Sequence, residues 1–437
     1  MPQQITRIRA QRFRSLAEVD VRLGRLNVLI GPNGSGKTNL LKVLQFLATM
    51  ARYDLSFAVR DWNGFDHIQR QAGKPLPVRL TIEGRITEHS SDNALDEYML
   101  RLSQTASGIS RTEEFTFKRS SGRGRRYKAS GKEIEISDLD SDAPRQVQRV
   151  ADAQTTGLAT LPKLADEQGG LGIRTFANFL SSIRVLEPDV VAARQPSRPY
   201  NANLADDASN LADALAQLKV SDPDAWPLLV ADVRSCLPGL EEIQIVPVGG
   251  PGRAVSVQLV EQGVTKPIEL ADASFGTVRV LALLTALHEP DPPPFTAIEE
   301  IDHGLHPYAL DILVDRMRAA SSRTQILAAT HSPTLVNRLT ADEIIVCDRE
   351  PETGASLIPA TSSKQIRAQL AATDWQAGEL WFSGALRGVP AGRAPTDRAW
   401  CSSSARTTTT RRASGICSSI SIRGLPAGSD PYHGPLR

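Results

Sequence analysis

The apolar positions of this chain fall into short unbroken runs separated by amphipathic stretches, and that alternation predicts an α/β architecture. Leu26–Ile30 is an apolar run of strand length. After a glycine-rich gap, Leu40, Leu41, Leu44 and Leu47 return at helical spacing, so strand, loop and helix follow in that order. The same grammar recurs far downstream. Phe295–Ile298 and Gln325–Thr330 read as short buried strands, and between them Leu310, Leu313, Val314 and Met317 mark one face of a helix whose first turn suits Pro307. An apolar helix over 280–287 precedes this group, and Ile344–Val346 is a further apolar run after it. The stretch 85–265 has another texture. Residues 114–118 and 133–136 alternate like paired strands around a basic tip at 118–128, residues 206–218 and 223–236 look helical, and 242–247 with 255–260 look like strands. Heptads are absent, which excludes a long coiled-coil arm. The expected division is an N-terminal half at 1–84, an inserted mixed strand and helix subdomain at 85–265, a C-terminal half at 266–390 and a tail at 391–437.

Chemistry enters at the glycine-rich gap. Residues 31–38 read Gly-Pro-Asn-Gly-Ser-Gly-Lys-Thr, a phosphate-binding P-loop between a strand and a helix. Glycines let consecutive backbone N–H groups converge on one phosphate at the positive end of a helix, Lys37 would reach the β- and γ-phosphates, and the Thr38 hydroxyl is the expected Mg²⁺ ligand. Asn33, Gly34, Ser35, Gly36 and Asn39 complete the expected ATP contacts. The run 295–298 ends in Glu299 and Glu300, where strand tips of open α/β sheets face a ligand crevice. Glu299 would hold the Mg²⁺ shell directly or through water, and Glu300 would position and deprotonate the attacking water. His331, at the tip of the next strand, would meet the γ-phosphate. Ser274 and Gly276 open a helix and make a second anion site, spare within one subunit, that would clasp the γ-phosphate held by another.

In this order the motifs resemble the ABC-type ATPase heads of the RecF, SMC and OLD-like group. The resemblance is carried by 8–16 with Arg12 to Ser15, by the P-loop with Asn39 to Leu41, by Ser274 to Arg279, by Glu299 to Pro307 and by Thr330 to Pro333. It implies a P-loop NTPase fold of the ABC-ATPase type and an ATP sandwiched between two heads. Lys37 and Thr38 of one subunit would face Ser274 and Gly276 of the other. It assigns Glu299 as the Walker B acid, Glu300 as the catalytic glutamate and His331 as the switch histidine, and it places Arg14 and Ser15 against the nucleotide. It also implies work on DNA, or a switch that recruits or restrains a separate effector protein such as a nuclease or toxin. The chain departs from the family in three places. Ile301, Asp302 and His303 replace Pro, Glu and Asn after the acids, Phe275 replaces an acidic residue of the signature, and no Q-loop glutamine is evident, with Gln69 and Gln71 as candidates and Gln45 inside the first helix.

Composition adjusts this picture little. The 437 residues carry 50 Lys and Arg against 49 Asp and Glu, and removal of the tail leaves 43 basic against 47 acidic side chains, so the body is not a uniformly basic DNA binder. The basic tip at 118–128 either touches nucleic-acid phosphate or is merely solvated. No apolar run approaches the ~20 residues of a membrane span, and the start shows no signal-type segment, so a cytosolic location without membrane contact is expected. Cys236, Cys347, Cys401 and Cys417 show no metal spacing, and Cys347 reads as a small core residue. From 391 onward the chain turns to Arg, Ser, Thr, Gly and Pro, a composition expected to stay disordered and also one that out-of-frame reading of a GC-rich gene would produce. The region 350–437 offers no acidic cluster of the kind a nuclease domain needs, so intrinsic nuclease activity is not expected.

Overall fold

The structure is a computed structural model that describes residues 2–388, apart from 74–75, 107, 120–121, 123, 140–144, 151, 164–169, 199–202 and 251. The tail at 391–437, and with it Cys401 and Cys417, lies outside the described residues. The described residues all fall within one compact unit.

Strands β1 (Gln4–Phe13) and β2 (Leu16–Arg22) make a hairpin, and β3 (Leu26–Ile30) leads through the glycine-rich loop into α1 (Lys37–Arg52) and α2 (Leu55–Asp61). An antiparallel run follows, β4 (Val78–Arg85), β5 (Asp96–Thr105), β6 (Gly108–Phe117), β7 (Arg125–Ser130), β8 (Glu133–Asp138) and β9 (Gln146–Arg149). Helices α3 (Gly157–Thr160) and α4 (Gly170–Ser182) bring the chain to β10 (Arg184–Leu186). Next come α5 (Val190–Ala193), α6 (Leu211–Ser221), α7 (Ala225–Cys236), then β11 (Leu240–Val248), β12 (Ala254–Glu261) and β13 (Ile268–Glu269). The C-terminal half holds α8 (Phe275–His288), β14 (Phe295–Ile298), α9 (Pro307–Ala320), β15 (Gln325–Thr330), α10 (Pro333–Val336), β16 (Ile344–Val346), β17 (Asp348–Arg349), β18 (Ser356–Leu357), α11 (Ser363–Ala372) and α12 (Ala377–Phe382).

A parallel sheet in the order β10-β14-β15-β3-β16 forms the centre. Every residue of β3, β14 and β15 is buried, which is why these strands read as continuous apolar runs rather than alternating ones. Alternate side chains serve two cores. Leu29, Ala297, Leu327 and Ile345 pack with α1, α4 and the antiparallel strands, whereas Val28, Ile30, Ile298 and Ala328 pack with α6 to α9. The registers Ile298↔Ala328, Thr330↔Ile30 and Leu186↔Ile298 align the carboxyl ends of four strands. The P-loop, the two acids, His331 and Glu187 therefore issue from one edge.

The stretch 85–265 does not fold as a body of its own. β4 to β9 extend the β1–β2 hairpin into an eight-stranded antiparallel sheet in the order β2-β1-β4-β5-β6-β7-β8-β9, and β10 belongs to the central sheet. The physical reason is edge pairing. β1 offers a free edge to β4 over seven registered residues, so the added strands complete a sheet begun at the N-terminus. The basic segment also differs from a hairpin tip: 125–130 is itself a strand, paired with β6 on one side and β8 on the other.

Candidate active site

The loop after β3 is shaped by two close approaches. At Gly31, with φ of +156°, a Cβ would lie 2.2 Å from the Cys347 carbonyl oxygen, and at Gly36, with φ of +105°, it would lie 2.2 Å from Ser356 Oγ. The chain can thus fold back between β16 and the Ser356 turn only with glycine at both positions. Inside this turn the Lys37 ammonium is buried and donates to the carbonyls of Gly31 at 2.7 Å and Pro32 at 3.1 Å. Burial pushes its pKa down, against the pull of Asp302, Glu300 and Glu299. Ser35 is fully buried with its hydroxyl unpartnered among the described residues. Such a hydroxyl, beside a buried ammonium and the N-terminus of α1, is a donor set suited to an anion.

The acids meet the loop from β14. Glu299 N donates to Leu186 O at 3.0 Å, the side chain is 8 % exposed, and the Thr38 hydroxyl donates to its carboxylate across 261 positions of sequence. Burial raises the Glu299 carboxyl above its usual range, with the Thr38 hydrogen bond opposing and the Glu187 charge adding to the rise. Two hard oxygen donors held together in this way fit the demands of Mg²⁺, which takes few protein ligands and keeps phosphate and water for the rest. Glu300 follows in a left-handed conformation, φ +46°, uncommon for a residue with a side chain. The buried Arg279 on α8 donates through Nη2 to the Glu300 carbonyl at 2.7 Å and holds that turn. The Glu300 carboxylate points outward and meets His303 Nδ1 at 3.1 Å. Asp302 accepts from Thr330 Oγ1 at 2.7 Å and from His331 N at 3.2 Å, so this departure from the family pattern ties the tips of β14 and β15 together. Burial, followed by the Lys37 charge, pushes the His331 pKa down, and the ring is neutral at neutral pH.

The remaining expected residues divide. Ser15 is brought in: its hydroxyl accepts from Asn39 Nδ2 at 2.7 Å and shares a hydrogen bond with Ser356 Oγ at 2.7 Å. Arg14, in a left-handed conformation, lays its guanidinium over the Trp62 ring at 5.4 Å. Asn33 and Gly34 are exposed on the loop. Ser274 caps α8, its oxygen accepting from Thr277 N at 3.1 Å, and is exposed; no hydrogen bond among the described residues joins it or Gly276 to the P-loop. Gly276 is packed so that a Cβ would stand 2.8 Å from the Gly304 carbonyl oxygen, and Phe275 lies against His303 with ring centroids 5.3 Å apart. Neither glutamine candidate serves the site. Gln69 donates to Leu76 O at 2.7 Å and Gln71 to Asp66 O at 3.0 Å. Glu187 stands instead at the tip beside Glu299, a residue missed because β10 is only three residues long, opens on an arginine and is too short to read as a strand. Arg279 was seen only as part of a motif, and its hold on Glu300 is visible only in three dimensions.

A family model described as "AAA domain, putative AbiEii toxin, Type IV TA system" matches residues 26–337, which include the loop, both acids, the α8 cap and His331. The chain belongs to this family of P-loop ATPases. Among individual proteins this AAA-family chain is 34 % identical over 93 residues to the DNA replication and repair protein RecF of Streptococcus gordonii, covering 19 % of this chain and 26 % of that protein. To RecF of Vibrio cholerae it is 36 % identical over 87 residues, 20 % of this chain and 21 % of the relative. The chain thus spans about a quarter or less of the length of these curated relatives. Among solved structures, an Smc head bound to the C-winged helix domain of ScpA superposes with a TM-score of 0.50 at 15 % identity over 81 % of this chain and 96 % of the other. The ABC-type head fold expected from the motifs is therefore the fold of this AAA-family protein.

Proposed function

We propose that this ATPase hydrolyses ATP with Mg²⁺ at the P-loop edge of the central sheet, in a dimer where each nucleotide is closed by the α8 cap of a second copy. The observation that carries the proposal is the junction of Thr38 with Glu299 beside the buried Lys37, three groups from distant parts of the chain. Thr38 and Glu299 are the residues that would hold Mg²⁺. The ion, when bound, supplies charge neutralisation at the phosphate oxygens. Lys37, freed from the Gly31 and Pro32 carbonyls, would exchange those two hydrogen bonds for phosphate oxygens. Glu300 accepts the proton of the attacking water as its oxygen bonds to the γ-phosphorus and the bond to the β-phosphate oxygen breaks, leaving ADP and inorganic phosphate. Neutral His331 donates a hydrogen bond toward the γ-phosphate without adding a second charge beside Lys37. The exposed Ser274 and the half-buried Gly276 are the groups a second copy would present, since no hydrogen bond among the described residues joins them to the loop of their own chain.

The RecF relatives support coupling of this cycle to DNA, in repair or in defence against foreign DNA. The toxin–antitoxin wording of the family description favours a second reading, in which ATP holds a dimer that recruits or restrains a separate effector protein and hydrolysis is slow. The test is phosphate release by the wild-type chain and by Glu300→Gln with Mg²⁺-ATP. The proposal expects ATP binding to persist in the variant while turnover falls by about 10² or more. Equal turnover would remove Glu300 from the mechanism.

A further inference from the structure

The outer face of the antiparallel sheet carries a trough that the ATP site does not use. One part, about 440 Å³, is lined by Gln11, Arg12, Arg79, Arg101, Leu76 and Glu18 among others. A second part, about 300 Å³, continues it past Arg9 and Met99, sharing Gln11 and Arg79 with the first. The registers place Gln11 on β1 opposite Arg79 on β4, and Arg79 opposite Arg101 on β5, so two arginines stand side by side with Arg12 at the end of the row. Like charges directly opposite one another destabilise a sheet. Most neighbours on this face are neutralised: Arg7 pairs with Asp20 and Glu83, Arg9 with Glu83 and Glu97, and Arg126 with Glu114. Arg12, Arg79 and Arg101 have no hydrogen-bond or ion-pair partner for their side chains among the described residues. Three acids line the trough, and each is engaged: Glu18 in the first part accepts from Gln11 Nε2 at 3.2 Å, and in the second Glu97 pairs with Arg9 and Glu114 with Arg126. Arg12 also adopts a left-handed backbone, φ +59°, which breaks the strand alternation between the outward Gln11 and the buried Phe13.

We propose that this trough holds the phosphate backbone of nucleic acid, with Arg79 and Arg101 on phosphates of one strand and Arg12 at the end of the row. Unpaired guanidinium groups in a row are matched by the regular anions of a polyphosphate chain, and planar forks bind phosphate bidentately. The half-exposed Leu76 gives the trough an apolar wall against which sugar edges can pack. The segment singled out in the sequence as basic, 118–128, is the weaker candidate, because Arg126 and Arg119 are engaged by Glu114 and Asp138. The inference deepens the DNA reading and rests on it only for the choice of nucleic acid over an acidic protein.

The experiment is fluorescence anisotropy of a labelled DNA duplex with the full chain, at about 50 and about 200 mM salt. Wild type is expected to bind with affinity that falls steeply with salt. Arg79→Gln with Arg101→Gln is expected to bind about tenfold or more weakly and to flatten the log–log salt slope by about 1.8, the amount for two lost phosphate contacts. Arg7→Gln, which removes a paired arginine from the same face, is the control and should change affinity less than about twofold. Phosphate release by the double variant without DNA should equal wild type, which separates failure of this inference from failure of the ATPase reading. Absence of duplex binding by wild type, an unchanged slope in the double variant, an equal loss in the control, or displacement of the duplex by an acidic polypeptide of tighter affinity would each overturn the proposal.

Discussion

Glu299, the proposed Mg²⁺ ligand, is a burden on the folded chain. Burial holds its carboxyl above the usual range, so the protonated form is favoured in the fold. The sign follows: between the ordinary carboxylate value, about pH 4.3, and the raised folded value, the folded state binds more protons than the unfolded one, and stability falls as pH rises through that window. Glu299→Gln should therefore show a flatter stability profile than wild type across the window and a higher thermal midpoint above it, by about 1–3 °C in the absence of nucleotide. Differential scanning fluorimetry from acid to neutral pH checks this, and a lower midpoint for the variant at neutral pH would contradict it. Mg²⁺-ATP should raise the wild-type midpoint and leave the variant nearly unmoved, because the ligand that offsets the buried charge no longer has its site. His331 acts in the opposite sense. Its lowered pKa makes protonation unfavourable in the fold, so it destabilises only as pH falls below the ordinary histidine value.

At the scale of elements, Glu300, the proposed catalytic base, is held by a helix as well as by its own strand. Arg279 on α8 grips the Glu300 carbonyl, Phe275 at the start of the same helix packs at a tilt against His303, and His303 meets the Glu300 carboxylate. The cap that a second copy would engage and the residue proposed to activate water are thus parts of one mechanical unit. Arg279→Met should lower turnover by about 10- to 10²-fold while leaving the ATP dissociation constant within about twofold, and Arg279→Lys should recover part of the rate. A changed dissociation constant with normal turnover would show that Arg279 serves binding instead. Legibility in the sequence followed the range of the interactions. β3, β14, β15 and α9 were readable because their patterns are local: runs buried on both faces and a stripe at helical spacing. The apolar body of helix α8 is legible over 280–287 and its opening at Ser274 and Gly276 as well, and the Ser274 cap starts the helix at Phe275; every residue from Thr277 to His288 is buried, so no polar face marks its sides. β10 was invisible for want of length, and with it Glu187. The single antiparallel sheet of β1, β2 and β4 to β9 could not be read at all, since the β1–β4 pairing joins segments about seventy positions apart and leaves no local trace.

For the whole molecule, the central sheet works as a partition. One face packs on α1 and the antiparallel sheet, the other on α8 and α9, and the P-loop edge is where elements of both cores come together. α1 brings Lys37 and Thr38 from the first side; α8 brings Arg279 from the second. The α8 cap faces outward and no hydrogen bond among the described residues joins it to the loop, so closure of the nucleotide needs another copy in this account. The measurement that tests this most directly is light scattering of Glu300→Gln with Mg²⁺-ATP, beside Glu300→Gln carrying Ser274→Arg. The account predicts an ATP-dependent dimer for the first and a monomer that still binds ATP for the second. A monomer in both, or an unchanged dimer when Ser274 is replaced, would contradict it.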